Sequence, residues 1–178
     1  METVLPPVPG KKKTVAIENG GFEGAGTAPW NIEKQGECTV QLVPDSGGQA
    51  LEWTLGKSFS DGSMGAVTHP ALMRLHCEPG QTYRLSFSVR GSAGNHVIKH
   101  PQIQAPLVVR IIYAEEKPGA KPEYRYEWLP FYPDETKRTE HILIISPDAN
   151  RWQFAGMTFF LWQAGTYRLD DVKLESWE

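Results

Sequence analysis

The sequence predicts an all-β protein, a sandwich or a barrel with little helix. Its 17 glycines and 14 prolines separate short runs in which apolar and polar residues alternate, the pattern of many short strands joined by turns. No long segment keeps the i, i+3, i+4, i+7 apolar spacing of an amphipathic helix. With 178 residues, 40% of them apolar, the chain is long enough for one domain with a substantial core.

Ten segments carry the strand pattern in chain order, and the stretches 92–106 and 117–122 are predicted to be long loops or poorly ordered connections. The proline-rich start, 1–13, is expected to be a linker or the edge of a domain cut from a longer chain, which leaves 14–178 as one domain. The predicted strands are 14–17, 37–43, 50–55, 72–76, 82–90, 107–114, 124–128, 141–145, 153–161 and 165–175.

Alternation assigns the faces of these strands. In 82–90, the phase of Tyr83 and Leu85 is predicted to face the core, and the phase of Arg84 and Arg90 to face solvent or a groove. Segment 153–161 is apolar in both phases, so it is either a central strand buried on both sides or a strand with a ligand platform. In the last strand, Asp170 shares its phase with Val172 and Leu174. A carboxylate in line with core residues is costly unless it is paired or bound to a cation.

Composition excludes several classes of function. A net charge of −3 and a pI near 6.0 provide no basic field for nucleic acid. The chain has no apolar run of about 18 residues for a membrane span and no signal peptide at its start. Cys38 and Cys77 are either bridged or two buried free thiols. Adjacent acids such as Asp170 and Asp171 face opposite sides of a strand, so they do not form a catalytic pair.

Three segments, taken in order, resemble a known family. They are 19–23 (Asn-Gly-Gly-Phe-Glu) followed by Trp30, then 78–90, then 165–174. Together they resemble the carbohydrate-binding modules of families four, nine and twenty-two, which are jelly-roll β-sandwiches of two antiparallel sheets with a galactose-binding-like architecture. The resemblance extends from about residue 17 to residue 175.

The resemblance implies a non-catalytic, monomeric module that binds a polysaccharide or an oligosaccharide. Such a module targets a larger secreted polysaccharide-degrading enzyme to its substrate, so it implies a catalytic domain in the same parent chain and an extracellular or periplasmic location. Two other hypotheses stay open at this point: a small jelly-roll lyase or hydrolase, and a structural or protein-docking sandwich without a glycan cleft.

The resemblance also implies a structural calcium ion that joins the N-terminal segment to the last strand. Matched residue by residue, Gly21 and Gly48 would offer backbone carbonyls, and Glu23 and Asp170 would offer carboxylates. Such a set suits Ca²⁺, which takes six to eight oxygen ligands. The alternative is that Asp170 accepts hydrogen bonds from loop amides and no metal is present.

An aromatic platform is the second candidate site, because flat rings cover the apolar C–H faces of sugars while polar side chains bind the hydroxyls. Trp53 is in phase with Leu51 and Leu55 and is predicted to be core. Arg90 and Arg110, both on non-core phases, are expected to reach the platform face, and arginines there favour either an anionic sugar or the hydroxyls of a neutral one. The candidate platform rings are Tyr124, Tyr126, Trp128, Trp152, Phe160 and Trp162.

Overall fold

The computed structural model describes residues 12–15, 17–73, 82–93, 105–115, 117–134, 136–145 and 153–177. In these parts of the chain it contains eleven strands, a 3₁₀ turn at Phe59–Asp61 and a four-residue helix, α1, at Pro70–Met73. The strands are β1 (Lys12–Val15), β2 (Asn31–Gln35), β3 (Cys38–Asp45), β4 (Gly48–Leu55), β5 (Met64–Thr68), β6 (Thr82–Ala93), β7 (Leu107–Glu115), β8 (Glu123–Phe131), β9 (Thr139–Ile145), β10 (Gln153–Leu161) and β11 (Gly165–Trp177).

The strands form two antiparallel sheets, which confirms the predicted β-sandwich of the jelly-roll type. One sheet has six strands in the order β3-β4-β11-β6-β9, with β1 added beside the end of β11. The other has five strands in the order β2-β5-β10-β7-β8. Apart from the pairs β3–β4 and β7–β8, neighbouring strands are distant in sequence, so most pairing is non-local. Among the described residues, no helix is long and apolar enough to cross a membrane.

The core lies between the two sheets and follows the predicted alternation. Tyr83, Leu85, Phe87 and Val89 all point inward from β6. Trp53 on β4 is 1% exposed, in the core as predicted. From the five-stranded sheet, β7 and β10 supply the opposing layer of the core, with Val109, Ile111, Met157, Phe159 and Leu161.

Several strand boundaries differ from the prediction. β2 and β5 were not predicted: β2 is mostly polar because it is an edge strand, and the Gly-Ala step of β5 weakens its pattern. The predicted strand 72–76 is wrong at its start, because Met73 ends α1, and its remaining residues lie outside the described ones. Lys12 and Lys13 belong to β1 and not to a linker, because β1 pairs with the end of β11.

Of the two cysteines, Cys38 lies among the described residues. Cys38, at the start of β3, is a free thiol, and burial raises its pKa. Cys77 lies outside the described residues.

Candidate functional site

The outer face of the five-stranded sheet carries a row of exposed aromatic rings along β8. Tyr124, Tyr126 and Trp128 are 55%, 51% and 47% exposed. They point away from the core because the opposite phase of β8 places Leu129 and Phe131 against it. β8 is an edge strand of the sheet, with β7 as its neighbour.

Behind Trp128, the row joins a cluster of rings. The ring centroid of Trp128 lies 5.4 Å from that of Trp162 and 5.7 Å from that of Phe160, and the last two lie 5.6 Å apart. Phe160 is only 8% exposed, so it forms the floor of the cluster. Trp162 is half-buried just beyond β10, where its amide donates to the Pro106 carbonyl.

Arg110 lies at the centre of this face. It is the cross-strand partner of Trp128 on one side and of Thr158 on the other. Its guanidinium carbon is 5.0, 5.6 and 5.8 Å from the ring centroids of Phe160, Trp128 and Tyr126, distances at which a cation is attracted to the face of a ring. We call Arg110 together with Tyr124, Tyr126, Trp128, Phe160 and Trp162 the aromatic patch.

Most of the N–H donors of Arg110 have no acceptor within the described part of the chain. Nη2 donates to Thr158 Oγ1 at 3.5 Å, the long limit of a hydrogen bond. Nε is buried without an acceptor. Trp162 Nε1, in the same patch, is likewise buried with no acceptor.

Two predicted platform residues lie elsewhere. The expectation that Arg90 shares a face with Arg110 is wrong, because Arg90 is on β6 in the six-stranded sheet and points outward on the opposite side of the sandwich. There its Nη2 lies 2.9 Å from Asp45 Oδ1. Trp152 lies outside the described residues.

The four residues expected to bind calcium come together where the N-terminal segment meets β11. A Cβ on Gly21 would lie 3.9 Å from an oxygen of Asp170 and 3.8 Å from Glu23 Cγ. Glu23 Oε1 accepts a hydrogen bond from the Gln49 amide at 3.0 Å and fills the space beside Gly48 that a side chain would need. The segment is also tied to β11 by the Val172 amide, which donates to the Gly20 carbonyl at 2.9 Å. We call Gly21, Glu23, Gly48 and Asp170 the chain-end cluster.

Asp170 lies next to a bulge in β11. The expectation that Asp170 continues the core-facing phase of Val172 and Leu174 is wrong, because a β-bulge interrupts β11 between Asp170 and Lys173. Asp171 adopts a φ of 51° at this bulge, and the extra residue reverses the alternation. Asp170 therefore pairs with Ser88 on the outward phase, although it remains buried at 6% exposure.

Arg138 supplies part of the charge balance at this cluster. Its Nη2 is 2.9 Å from Asp170 Oδ2 and also contacts Asp171 Oδ2. The Asp171 amide donates to Asp170 Oδ1 at 2.7 Å. Burial raises the pKa of Asp170, the Asp171 amide and Arg138 oppose that rise, and the nearby carboxylates of Asp171 and Glu23 add to it.

These contacts fit a hard cation in part. Two carboxylates and two glycines meet at one place, and Asp170 is buried there, which is the main reason that its pKa is raised. No three His, Cys, Asp or Glu side chains of the described residues are grouped to hold a metal. An ion here would therefore depend on backbone carbonyls for much of its coordination.

Comparison with known proteins identifies the family to which the sandwich belongs. A family model of carbohydrate-binding modules, described as a carbohydrate binding domain, matches residues 15–128. The chain belongs to this carbohydrate-binding family. The match confirms the resemblance seen in the sequence. It covers Gly21, Glu23 and Gly48 of the chain-end cluster and β8 up to Trp128. No curated protein sequence matches the chain.

Solved structures with the same fold include binding modules and enzymes. A family 16 carbohydrate-binding module has 17% sequence identity and a TM-score of 0.51, over 89% of this chain and 97% of that one. A cyclase from Fischerella sp. TAU, in complex with 4-(1H-indol-3-yl)butan-2-one, has 17% identity and a TM-score of 0.56, over 92% and 97%. The enzymatically active domain of tailspike protein 4 from bacteriophage CBA120 has 15% identity and a TM-score of 0.57, over 89% of this chain. The chain spans 21% of the tailspike chain, and at these identities the likeness shows the fold alone.

Two residues of these sites were not predicted from the sequence. Arg138 lies in the segment before β9, and nothing in its local sequence relates it to Asp170, 32 positions later. Phe59, in the 3₁₀ turn, lies 5.8 Å from Trp162 between ring centroids and extends the ring cluster. In the sequence, Phe59 is a single aromatic residue among Ser58, Ser60 and Asp61. This is a weak signal, because single apolar residues are common at surfaces.

Proposed function

We propose that this domain binds a polysaccharide or an oligosaccharide on the aromatic patch and has no catalytic activity of its own. The observation that carries the proposal is Trp128, a large ring that is 47% exposed and is held in place by Trp162 and Phe160 at its rear. An exposed ring that is already fixed by packing loses little conformational freedom when a ligand stacks on it.

The patch combines the two kinds of contact that sugars use. Trp128, Tyr126 and Tyr124 follow one phase of a strand, so their spacing along β8 is about 6.6 Å, and they offer a row of apolar faces to the C–H side of successive sugar units. Arg110, between this row and Thr158, is placed to donate hydrogen bonds to oxygens of the same ligand.

The chemistry of the patch favours binding over hydrolysis. Within the described residues, Arg110 is the charged side chain of the patch, whereas glycoside hydrolysis ordinarily requires two carboxylates facing the scissile bond. Glu127 is on the opposite phase of β8, where it accepts a hydrogen bond from Tyr113.

The module would then act by localisation. Attached to a polysaccharide-degrading catalytic domain in a longer parent chain, it would hold that domain at a polymeric substrate and raise the effective concentration of one for the other. The proposal includes an extracellular or periplasmic location, where a polysaccharide-degrading enzyme would meet such a polymer.

The chain-end cluster would bind a structural Ca²⁺ ion in the same molecule. Glu23 and Asp170 would supply carboxylate oxygens, Gly21 and Gly48 would supply carbonyl oxygens, and the ion would supply positive charge that joins the N-terminal segment to β11. The geometry supports this proposal, because the carboxylates of Glu23 and Asp170 converge on Gly21 and Gly48, and Asp170 is buried, where a carboxylate gains from a nearby cation.

The test is a glycan microarray followed by calorimetric titration of each hit, with wild type, Trp128→Ala and Trp53→Ala compared. We expect Trp128→Ala to keep its melting temperature and to lose about 1 kcal/mol or more of binding free energy, about fivefold in affinity. Trp53→Ala should instead lose about 3–5 kcal/mol of stability, since Trp53 fills the core.

Two results would contradict the proposal. One is a complete lack of glycan binding by folded wild-type protein, both with calcium and without it. The other is sustained release of reducing or unsaturated ends from any polysaccharide on the array, abolished by substitution of a single carboxylate.

A further inference from the structure

We propose that Arg110 makes the aromatic patch selective for acidic glycans, whose sugar units carry a carboxylate or a sulfate ester. The inference rests on the proposed function, because it specifies the class of sugar that the same patch binds. The pairing of Arg110 differs from that of Arg90, Arg138 and Arg168.

Three other arginines of the described chain have carboxylate partners. Arg90 lies 2.9 Å from Asp45, Arg168 lies 2.8 Å from Glu52, and Arg138 lies 2.9 Å from Asp170. Arg110 makes no ion pair with any described residue, and its one side-chain hydrogen bond is the 3.5 Å contact with Thr158. A guanidinium has five N–H donors, so most of its capacity is unused.

The surroundings of Arg110 favour an anionic ligand. It is half-buried, with three aromatic rings within 6 Å of its guanidinium carbon. Rings attract the cation but satisfy none of its in-plane N–H donors. A planar carboxylate or a sulfate accepts two parallel hydrogen bonds from a guanidinium, and that pairing is stronger in a partly desolvated site than in water.

No protein carboxylate of the described chain competes for this position. On the outer face of the five-stranded sheet, Glu33 lies on β2, three strands from β7, which is about 14 Å at the usual strand spacing. Glu127 is held by Tyr113 on the opposite phase of β8. The patch therefore presents a positive charge beside stacking rings.

A sugar on Trp128 would have its substituents near that charge. The Trp128 ring centroid is 5.6 Å from the guanidinium carbon of Arg110, about the width of one sugar ring. A ring that stacks on Trp128 therefore needs only an exocyclic carboxylate or sulfate on its Arg110 side to form the paired hydrogen bonds.

The experiment compares acidic glycans with neutral glycans of the same skeleton. The probes are an oligogalacturonide with its carboxyl-reduced oligogalactoside, a glucuronate oligomer with its carboxyl-reduced form, and a sulfated galactan oligosaccharide with its desulfated form. Each is titrated into wild type, Arg110→Gln, Arg110→Lys and Lys173→Gln. Lys173→Gln is the matched control, because it removes one exposed positive charge from the outer face of the other sheet.

We expect at least one acidic glycan to bind about tenfold more tightly than its neutral counterpart. Arg110→Gln should remove most of that difference, because it should weaken binding of the acidic glycan far more than binding of the neutral one, which loses only a hydrogen bond to an uncharged oxygen. Arg110→Lys should retain part of the difference, and Lys173→Gln should retain all of it. The preference for the acidic glycan should also decrease as the salt concentration rises from about 0.05 to about 0.5 M, because salt screens the attraction between partly exposed charges. The ratio of acidic to neutral affinity is compared between the carboxylated and the sulfated probes. The larger ratio identifies which of the two anionic groups Arg110 prefers.

Two outcomes overturn the inference while the proposed function stands: acidic and neutral partners bind equally, or Arg110→Gln weakens both to the same extent. If no glycan of either kind binds to folded wild type, the proposed function fails, and the inference fails with it. Melting curves of each variant, recorded beside the titrations, separate loss of recognition from loss of fold.

Discussion

Single residues of the same type take opposite roles here according to the face on which they lie. Trp53 is 1% exposed in the core, whereas Trp128 is 47% exposed on the outer face of the other sheet. Arg90 is neutralised by Asp45, whereas Arg110 is surrounded by rings. Residue type alone therefore predicts neither stability nor binding, and the face on which a side chain lies decides between them.

His141 provides a test of burial at the residue scale. Its ring stacks on Phe87 at 5.4 Å and Phe131 packs against it edge-on at 5.0 Å. Its buried Nε2 has no hydrogen-bond partner among the residues that the structure describes. Burial lowers the pKa of His141 below the value of about 6.5 for an exposed histidine. Below that pH the unfolded chain takes up a proton that the folded chain does not, so stability should fall as pH decreases from about 6.5.

The measurement is the melting temperature of wild type and His141→Phe from pH 7.5 to 5. We expect the variant, which keeps a ring at this position, to lose less stability over the acidic part of this range than wild type does. Equal pH dependence in the two proteins would show that His141 does not contribute.

At the scale of elements, an irregularity in β11 creates the chain-end cluster. Because the bulge lies between Asp170 and Lys173, Val172 and Leu174 point inward while Asp170 continues the outward phase of Arg168, next to the N-terminal segment. There it meets Arg138 and lies near Glu23. Bulges commonly redirect a side chain in this way.

The calcium proposal gives a prediction for this element. Excess Ca²⁺ should raise the melting temperature of wild type, because an ion that binds only the native state adds about 2.7 kcal/mol at 100 times its Kd. Asp170→Ala should abolish that rise and lower stability without calcium, since Arg138 would lose a buried partner.

Lys173→Gln, a neighbour on β11 whose side chain is exposed, should respond to calcium as wild type does. A wild-type melting curve that is the same in EDTA and in excess calcium would contradict the presence of an ion, and Asp170 would then be a purely structural partner of Arg138.

At the scale of the whole molecule, the two outer faces of the sandwich differ in chemistry. The five-stranded sheet presents the aromatic patch. The six-stranded sheet presents charged side chains that pair with each other, with Arg168 between Glu52 and Asp45, and Arg90 beside Asp45. Surface pairs of this kind add little stability, but they engage Arg90 and Arg168, which are then not available to a ligand. Recognition is therefore expected on one face of the molecule.

A fusion experiment tests targeting by the whole domain. Joined to a catalytic domain that degrades the glycan identified on the array, the module should raise activity on the insoluble polymer several-fold, through effective concentration. Activity on a short soluble oligosaccharide should not change. The Trp128→Ala fusion serves as control and should behave as the catalytic domain alone; an equal gain from this fusion would argue against targeting through the patch.

The sequence by itself determined what depends on a period of two residues along one strand. Alternation correctly separated the core phase of β6 from its outward phase, and it grouped Tyr124, Tyr126 and Trp128 on one surface, because successive side chains of a strand point to opposite faces. The tertiary structure alone decided which strands are neighbours: it put Arg90 and Arg110 on opposite sides of the sandwich, brought Arg138 to Asp170, and shifted the phase of β11 by a bulge. These features depend on hydrogen bonds between segments far apart in the chain, and a local pattern gives the face of a residue within its own strand but not the sheet to which that strand belongs.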